Sequence, residues 1–418
     1  MTPGAAVPKR QRVVVTGIGI VSPLGAAVEE FWRASLAGES GVVSITDLDL
    51  ANCRTKIGAR VAGYDPGCHF SARELQRLSF TSQLALVAAH EALTGCGLAD
   101  DGCRRAAAGV ILGTAAGVVD ALKPLDRYFF EHNTIRDPLT IPRGMCNAAA
   151  SNLSIRFGLK GPVMTIDAAC ASSAHAIGYA YNLIRTGMLS LAVTGGTDSA
   201  ISELVVYGFS CLRALSERNE TPAQACRPFS RDRDGTVLGE GAGILILESE
   251  QSALERGAPI LAELTGYGAT SDGFHLTQPA LEGVSEAMRL ALADAGLEAA
   301  DINYINAHGT ATLANDKIEA AAIRQVFGDA ANDVPVVGIK PAVGHSIGAA
   351  SAIELISCVL SIRDSFVPPT LNFMVPDPEC DLDCVPEGAR RREIRHAMSN
   401  SFAFGGSNAV LIVSRYAG

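Results

Sequence analysis

The chain repeats a pattern of its own. Thr16-Gly17-x-Gly19-x-x-Ser22 returns as Thr265-Gly266-x-Gly268-x-x-Ser271, each time where an apolar, strand-like run (Arg12–Gly19, Leu261–Gly268) enters a glycine turn. Gly113-Thr114-Ala115 returns as Gly309-Thr310-Ala311. The run ending Ile244-Leu245-Ile246-Leu247 returns as Val410-Leu411-Ile412-Val413. Taken singly, such matches are ordinary turn chemistry. Four landmarks in one shared order mean two related halves. We divide them as residues 1–254 and 255–418, with unequal spacing placing an insertion in the first half over roughly 118–150.

Apolar strands alternate with helical segments in both halves, which predicts an α/β layered fold. Leu75, Leu78, Leu86 and Leu93 recur near helical spacing and predict one helix over 71–93, ended by Gly95. Two further helices, 171–185 and 345–363, open on small residues: Ala171, Ser172, Ser173 and Ala174 in one, Gly348, Ala349, Ala350, Ser351 and Ala352 in the other. Helices so poor in bulk can approach another backbone closely, and we place them in the centre, between two sheets.

At 418 residues with 48% hydrophobic content, the chain is too long for one small core and reads as soluble and globular. A net charge of -10 argues against nucleic acid as a general partner. The eleven cysteines are odd in number and contain no CxxC pair; Cys380 and Cys384 lack the His or second pair that a zinc site needs. Residues 1–11 lack a signal-peptide apolar region, and no apolar run reaches the length of a membrane span. These features together predict reduced cysteines and a cytoplasmic location.

Cys170 closes the strand-like run 163–167 and opens a small-residue helix. Taken alone it fits a packed core thiol. At a strand-to-helix turn, though, it meets free N–H groups and a helix dipole, which favour the thiolate. Three glycine-rich turns of the second half add polar chemistry: Asn306 to Thr312 with His308, Lys340 to His345, and Ser401 to Asn408. A lone His at a strand end is ordinarily a satisfied core histidine. Two His, a Lys and a Cys at strand ends point instead to catalysis, because rigid α/β scaffolds hold functional loops there.

Asp167-Ala168-Ala169-Cys170, Asn306 to Thr312, Lys340 to His345 and Phe402 to Asn408 resemble the four signatures of β-ketoacyl-acyl-carrier-protein synthases, type II, of the thiolase superfamily. Arg227-Pro228-Phe229, Arg231 to Gly235 and Gly239 to Gly243 match that family too, so the likeness runs from about Arg12 to about Val413. The resemblance implies a thiolase-like, five-layered αβαβα fold and a dimer, either a homodimer or a heterodimer with a chain-length-factor-like subunit. It implies decarboxylative Claisen condensation of malonyl-acyl-carrier protein with an acyl chain held on Cys170, in fatty-acid or type II polyketide or polyene elongation. Substrates would ride on the phosphopantetheine of the carrier protein, with no bound cofactor and no metal. By the same resemblance, Cys170 is the nucleophile, the N–H groups of Cys170 and Phe404 form the oxyanion hole, and His308 and His345 stabilise the enolate. Lys340 supports the site electrostatically, Thr310 and Thr312 bind the pantetheine arm, Phe404 gates the pocket, and Asp316 and Glu319 are structural.

Rival chemistries fit less well. A thiolase would carry a second catalytic Cys where this chain has Phe404-Gly405-Gly406, and the initiating type III synthase an Asn in place of one His. A catalytically silent chain-length-factor-like subunit would have lost the nucleophile. Within the family pattern, Ala403 replaces a Gly in the gate loop, which is expected to stiffen it. Pro341 stands where Ser is usual, and Ala403 with Asn315-Asp316 is similar to nodulation-type synthases. Ala116 takes the place of a bulky residue lining the acyl pocket, leaving room for a longer or rigid unsaturated chain. Arg73 and Arg77, one turn apart on the 71–93 helix, and Arg213 are expected to dock the acidic carrier protein; solvated helix charges are the plain alternative.

Overall fold

A computed structural model describes residues 10–61, 63–134 and 137–418; the segment 1–9 and two positions of the expected insertion, 135 and 136, lie outside the described residues. The first half supplies strands β1 (Val13–Val21), β2 (Gly109–Gly113), β3 (Val163–Ile166), β4 (Leu191–Ser199) and β5 (Glu240–Ser249). The second supplies β6 (Ala262–Ser271), β7 (Tyr304–Asn306), β8 (Val336–Val337), β9 (His396–Phe402) and β10 (Ser407–Ser414). They are hydrogen-bonded in the order β8-β7-β9-β10-β6-β1-β5-β4-β2-β3. The halves meet where β1 pairs antiparallel with β6, from Val13 opposite Leu264 to Val15 opposite Ala262. Outward from that seam each half runs antiparallel, antiparallel, parallel, parallel.

The repeated Thr-Gly-x-Gly motif has one structural job in both halves. Thr16 is skipped in the β1–β5 register and Thr265 in the β6–β10 register, so each motif carries a bulge. The glycines that follow let an outer helix lie almost on the strand. A Cβ on Gly19 would stand 1.9 Å from the carbonyl oxygen of Ala88 in helix α1 (Phe80–Gly95), and one on Gly268 2.1 Å from that of Ala287 in helix α3 (Leu281–Ala295). Only glycine permits either approach.

Helices α2 (Ser172–Arg185) and α4 (Ala350–Asp364) form the central layer, each touching strands of both halves. Every residue of α4 from Ala350 to Ile362 is buried, as a helix apolar all round requires. The small residues at the start of α2 allow the expected contact: a Cβ on Gly113 would lie 2.4 Å from the backbone nitrogen of Ser173. The ten strands form one continuous sheet, not two separate ones, and its two halves, the outer helices and the central pair make the five-layered αβαβα arrangement. Among the described residues no helix is long and apolar enough to cross a membrane.

One expected helix is broken. The predicted 71–93 segment divides into Ala72–Leu75 and α1, because two serines each cap a start. Ser71 forms a reciprocal capping box with Glu74, and the Ser79 hydroxyl accepts from the Ser82 N–H (3.2 Å). Arg77 therefore lies between helices, not one turn from Arg73 on a shared one.

Candidate active site

Cys170 sits in a tight 3-10 turn, Ala169–Ala171, between β3 and α2. Ala169 is held at φ +47°, a left-handed conformation that a non-glycine residue adopts only when its surroundings insist. Ser172 supplies that restraint, accepting from the Ala168 N–H (2.9 Å) and donating to the Ala169 carbonyl (2.7 Å). Ser351 of α4 donates to the Cys170 carbonyl (3.1 Å), so both central helices fix the backbone at Cys170.

His345 reaches the thiol from the other half, its Nε2 lying 3.1 Å from Cys170 Sγ. Its backbone is locked between Val237 and Gly239, donating to the first (2.7 Å) and accepting from the second (2.9 Å). His308 faces His345 edge-on, with ring centroids 5.6 Å apart. Behind His308, Lys340 is wholly buried; its ammonium lies 3.5 Å from His308 Nδ1, donates to the His308 carbonyl and pairs with the Glu354 carboxylate. Glu319 accepts from the backbone N–H groups of His308 and Gly309 (2.8 Å each) and from the Asn400 amide. Asp316 accepts from those of Phe229 (2.8 Å) and Ala311 (3.2 Å) beside the Arg233 guanidinium. Both acidic residues shape the His308 turn and do not face the cavity.

Electrostatics differ from the expected thiolate. Burial pushes the Cys170 thiol up to about 11, against the lowering effect of Lys340 and of the backbone N–H groups of Phe404 and Cys170. Loss of solvation outweighs the helix terminus at so enclosed a site. Burial and then Lys340 pull both His308 and His345 well below their usual range, with His345 adding to the effect on His308, so both imidazoles are neutral at neutral pH. Burial raises Glu354 and Glu319 to about 7.

Sγ of Cys170 and ring nitrogens of His308 and His345 all lie within 4.8 Å of one another, a spacing that also suits a soft metal. The ammonium against Nδ1 of His308 argues otherwise: it leaves the proton on Nε2, and a protonated nitrogen cannot ligate.

Cys170, His308 and His345 open on a cavity also lined by Thr310, Thr312, Ala403 and Phe404. The two threonine hydroxyls bond to each other (2.9 Å). Phe404 is 36% exposed at its rim and stacks on Phe209, with centroids 6.1 Å apart. The loop 275–279, which sequence reading passed over, forms the opposite wall, and the Gly405 N–H donates to the Leu276 carbonyl (2.7 Å). Ala403 sits at φ -125°, ψ 156°, extended backbone that alanine adopts without strain. Ala116 packs against the apolar cluster containing Cys170 and is not among the residues lining this cavity. Arg73, Arg77 and Arg213 are exposed and pair with no carboxylate among the described residues. Glu354 and Ser351 were missed because neither stands in a recognisable motif; both occupy the inward face of a helix already read as buried.

Comparison with known proteins identifies the family. The sequence profile "Beta-ketoacyl synthase, N-terminal domain" matches residues 10–253 and "Beta-ketoacyl synthase, C-terminal domain" residues 261–374. The chain is 40% identical to 3-oxoacyl-[acyl-carrier-protein] synthase 2 of Coxiella burnetii over 97% of its own length and 99% of the relative's. It is 41% identical to Nodulation protein E of Rhizobium meliloti, over 96% and 98%. Its fold superimposes on a solved ishigamide ketosynthase/chain length factor with a TM-score of 0.91 at 37% identity, covering 98% of this chain and 100% of that one. The profiles, the relatives and the fold agree over nearly the whole length, and the chain belongs to the β-ketoacyl synthase family.

Proposed function

We propose that this protein is an elongating condensing enzyme that joins a malonyl unit to an acyl chain, both delivered as thioesters on an acyl carrier protein. The observation that carries the reading is the 3.1 Å approach of His345 Nε2 to Cys170 Sγ, with His308 facing the same cavity. In the first stage Sγ attacks the acyl thioester carbon while its proton passes to His345 Nε2 and on to the departing carrier thiolate. The N–H groups of Cys170 and Phe404 receive the tetrahedral oxyanion. In the second stage malonyl thioester loses carbon dioxide, and the bonding pair becomes an enolate whose oxygen is met by the His308 Nε2–H, with His345 beside it. The enolate carbon attacks the acyl carbon on Cys170, the C–S bond breaks, and the thiolate recovers a proton from solvent. Lys340 fixes the His308 tautomer, Thr310 and Thr312 hold the pantetheine arm, and Phe404 opens and closes the entrance.

The partner subunit in this reading is a second copy or a chain-length-factor-like chain. Arg73, Arg77 and Arg213 receive the carrier protein, and the two related halves divide at 254/255. The likeness to Nodulation protein E, with Ala403 and Asn315-Asp316, favours a specialised long or unsaturated chain. Intact-protein mass after incubation with an acyl-carrier protein tests the core of this reading. One added acyl group in wild type and none in Cys170→Ala is expected; no acylation of folded wild type by saturated or polyenoyl chains favours a silent subunit. Faster transfer of the saturated chain would reject the specialised role. Arg73→Glu with Arg77→Glu should raise KM for the carrier protein, and unchanged kinetics at low salt would reject the docking assignment.

A further inference from the structure

Asp198, near the end of β4, is wholly buried, and its carboxylate is met by backbone N–H groups rather than by a cation. Oδ2 accepts from Ala115 and Ala116 (3.0 Å each) and from Gly348 (2.9 Å), while Oδ1 accepts from Ser199 (3.1 Å). The three donors to Oδ2 come from turns far apart in the chain. Ala115 and Ala116 follow β2 and pack against the cluster that contains Cys170. Gly348 lies in the turn Ile347–Ala349, which joins His345 to α4.

The fit leaves no slack. A Cβ on Gly348 would stand 2.8 Å from Oδ2 and from the Ala115 nitrogen. Ile347, in the same turn, is held at φ +44°, a conformation costing on the order of 1–3 kcal/mol unless its surroundings enforce it. The bond from Gly348 to Asp198 is one such enforcement. Burial raises the carboxyl to about 6 against the four N–H bonds, so the acceptor-only form predominates at neutral pH.

We infer that Asp198 is a positioning residue for the condensing reaction: one carboxylate oxygen locks the turn behind His345 to the turn beside Cys170. It thereby sets the distance between imidazole and thiol. The inference rests on the reading given under Proposed function, since it assigns Asp198 a part in that chemistry. An error of about 1 Å in such an alignment costs roughly a hundredfold in rate.

Two variants test it. Asp198→Asn keeps the size but replaces one carboxylate oxygen by an N–H₂, which meets a backbone N–H donor whichever way the amide lies. Gly348→Ala leaves Asp198 in place and crowds Oδ2. Each is expected to lower kcat roughly 10- to 100-fold while KM for the carrier protein stays within about twofold of wild type. Alkylation of Cys170 by iodoacetamide at neutral pH reads the same geometry without substrate, and it should slow in both variants. A folded Asp198→Asn protein with wild-type kcat and alkylation rate would overturn the inference, leaving Asp198 a purely structural residue. A rise in KM alone would overturn it too. If Asp198→Asn does not fold, the Gly348→Ala result decides. If wild type neither condenses nor takes up acyl groups, the proposed function fails, and the alkylation comparison still decides whether Asp198 positions the pair.

Discussion

Nε2 of His345 lies 3.1 Å from Sγ of Cys170 although 175 positions separate the two residues in the chain. Neither carries charge at neutral pH, since burial raises the thiol to about 11 and, with Lys340, holds the imidazole well below its ordinary value. The resting site thus holds a thiol–imidazole pair and not a thiolate–imidazolium pair.

Alkylation of Cys170 is the direct check on that resting state. Because the thiol's value is raised, thiolate is scarce at neutral pH and grows about tenfold per pH unit up to about 11. The rate of iodoacetamide labelling, followed at Cys170 by peptide mass, should climb across the accessible alkaline range without levelling. A plateau near pH 8 would show an ordinary, solvated thiol.

Glu319 links stability to pH with a definite sign. Its folded value, pushed to about 7 by burial, exceeds the ordinary glutamate value of 4.5, so the folded protein keeps a proton that the unfolded chain has lost between those limits. The stabilising share of this group is complete below pH 4.5 and fades as pH rises to about 7, by about 3 kcal/mol. Denaturant unfolding of wild type and Glu319→Gln at both ends of that window isolates the effect, because His308 and His345 titrate in both proteins. A difference in stability that does not change with pH would contradict it.

Lys340→Met should be destructive in two ways. It strands the Glu354 carboxylate, 2% exposed at the side chain, without its cation, which costs on the order of 3–5 kcal/mol. It also removes the ammonium beside His308 Nδ1, freeing that ring to change tautomer. Adding Glu354→Gln should recover much of the melting temperature and little of the condensing rate. Full recovery of rate would show that Lys340 serves stability alone.

The gate loop separates two kinds of glycine argument. Ala403→Gly should cost only about 0.5–1 kcal/mol, through chain entropy, because position 403 is already extended. Gly406→Ala meets φ +74° and a Cβ contact of 2.7 Å with Asp272, so it should distort the loop and slow acyl transfer. Stopped-flow acylation of the two variants compares them; equal rates would remove the loop from the catalytic cycle.

Much of this was legible in the chain itself because the repeat is a geometric demand. Thr16-Gly17-x-Gly19 and its copy at Thr265 mark a bulge and a near-contact with an outer helix, and only a few residue types satisfy both. Cys170, His308 and His345 stood out for the same reason, at turns where side-chain chemistry and backbone shape are both constrained. The break at Ser79 was hidden because leucine spacing continues across it, and a serine cap weighs less than periodicity in a sequence pattern. The thiol's raised value was hidden because helix position is written locally, whereas burial is decided by segments hundreds of residues away. Asp198 shows the same limit: its partners Ala115 and Gly348 are apolar or lack a side chain, and they bond through backbone that no motif records.

The mixed ancestry of the reacting pair also bears on the protein's birth at the ribosome. Cys170 emerges long before His345, His308 or Lys340 exist to meet it, and α2 has no α4 to lie against until most of the second half is made. A newborn amino-terminal half therefore carries a sulfur with neither proton acceptor nor pocket. The imidazole that meets the sulfur, and the residues His308, Ala403 and Phe404 of the cavity around it, come only with the second half.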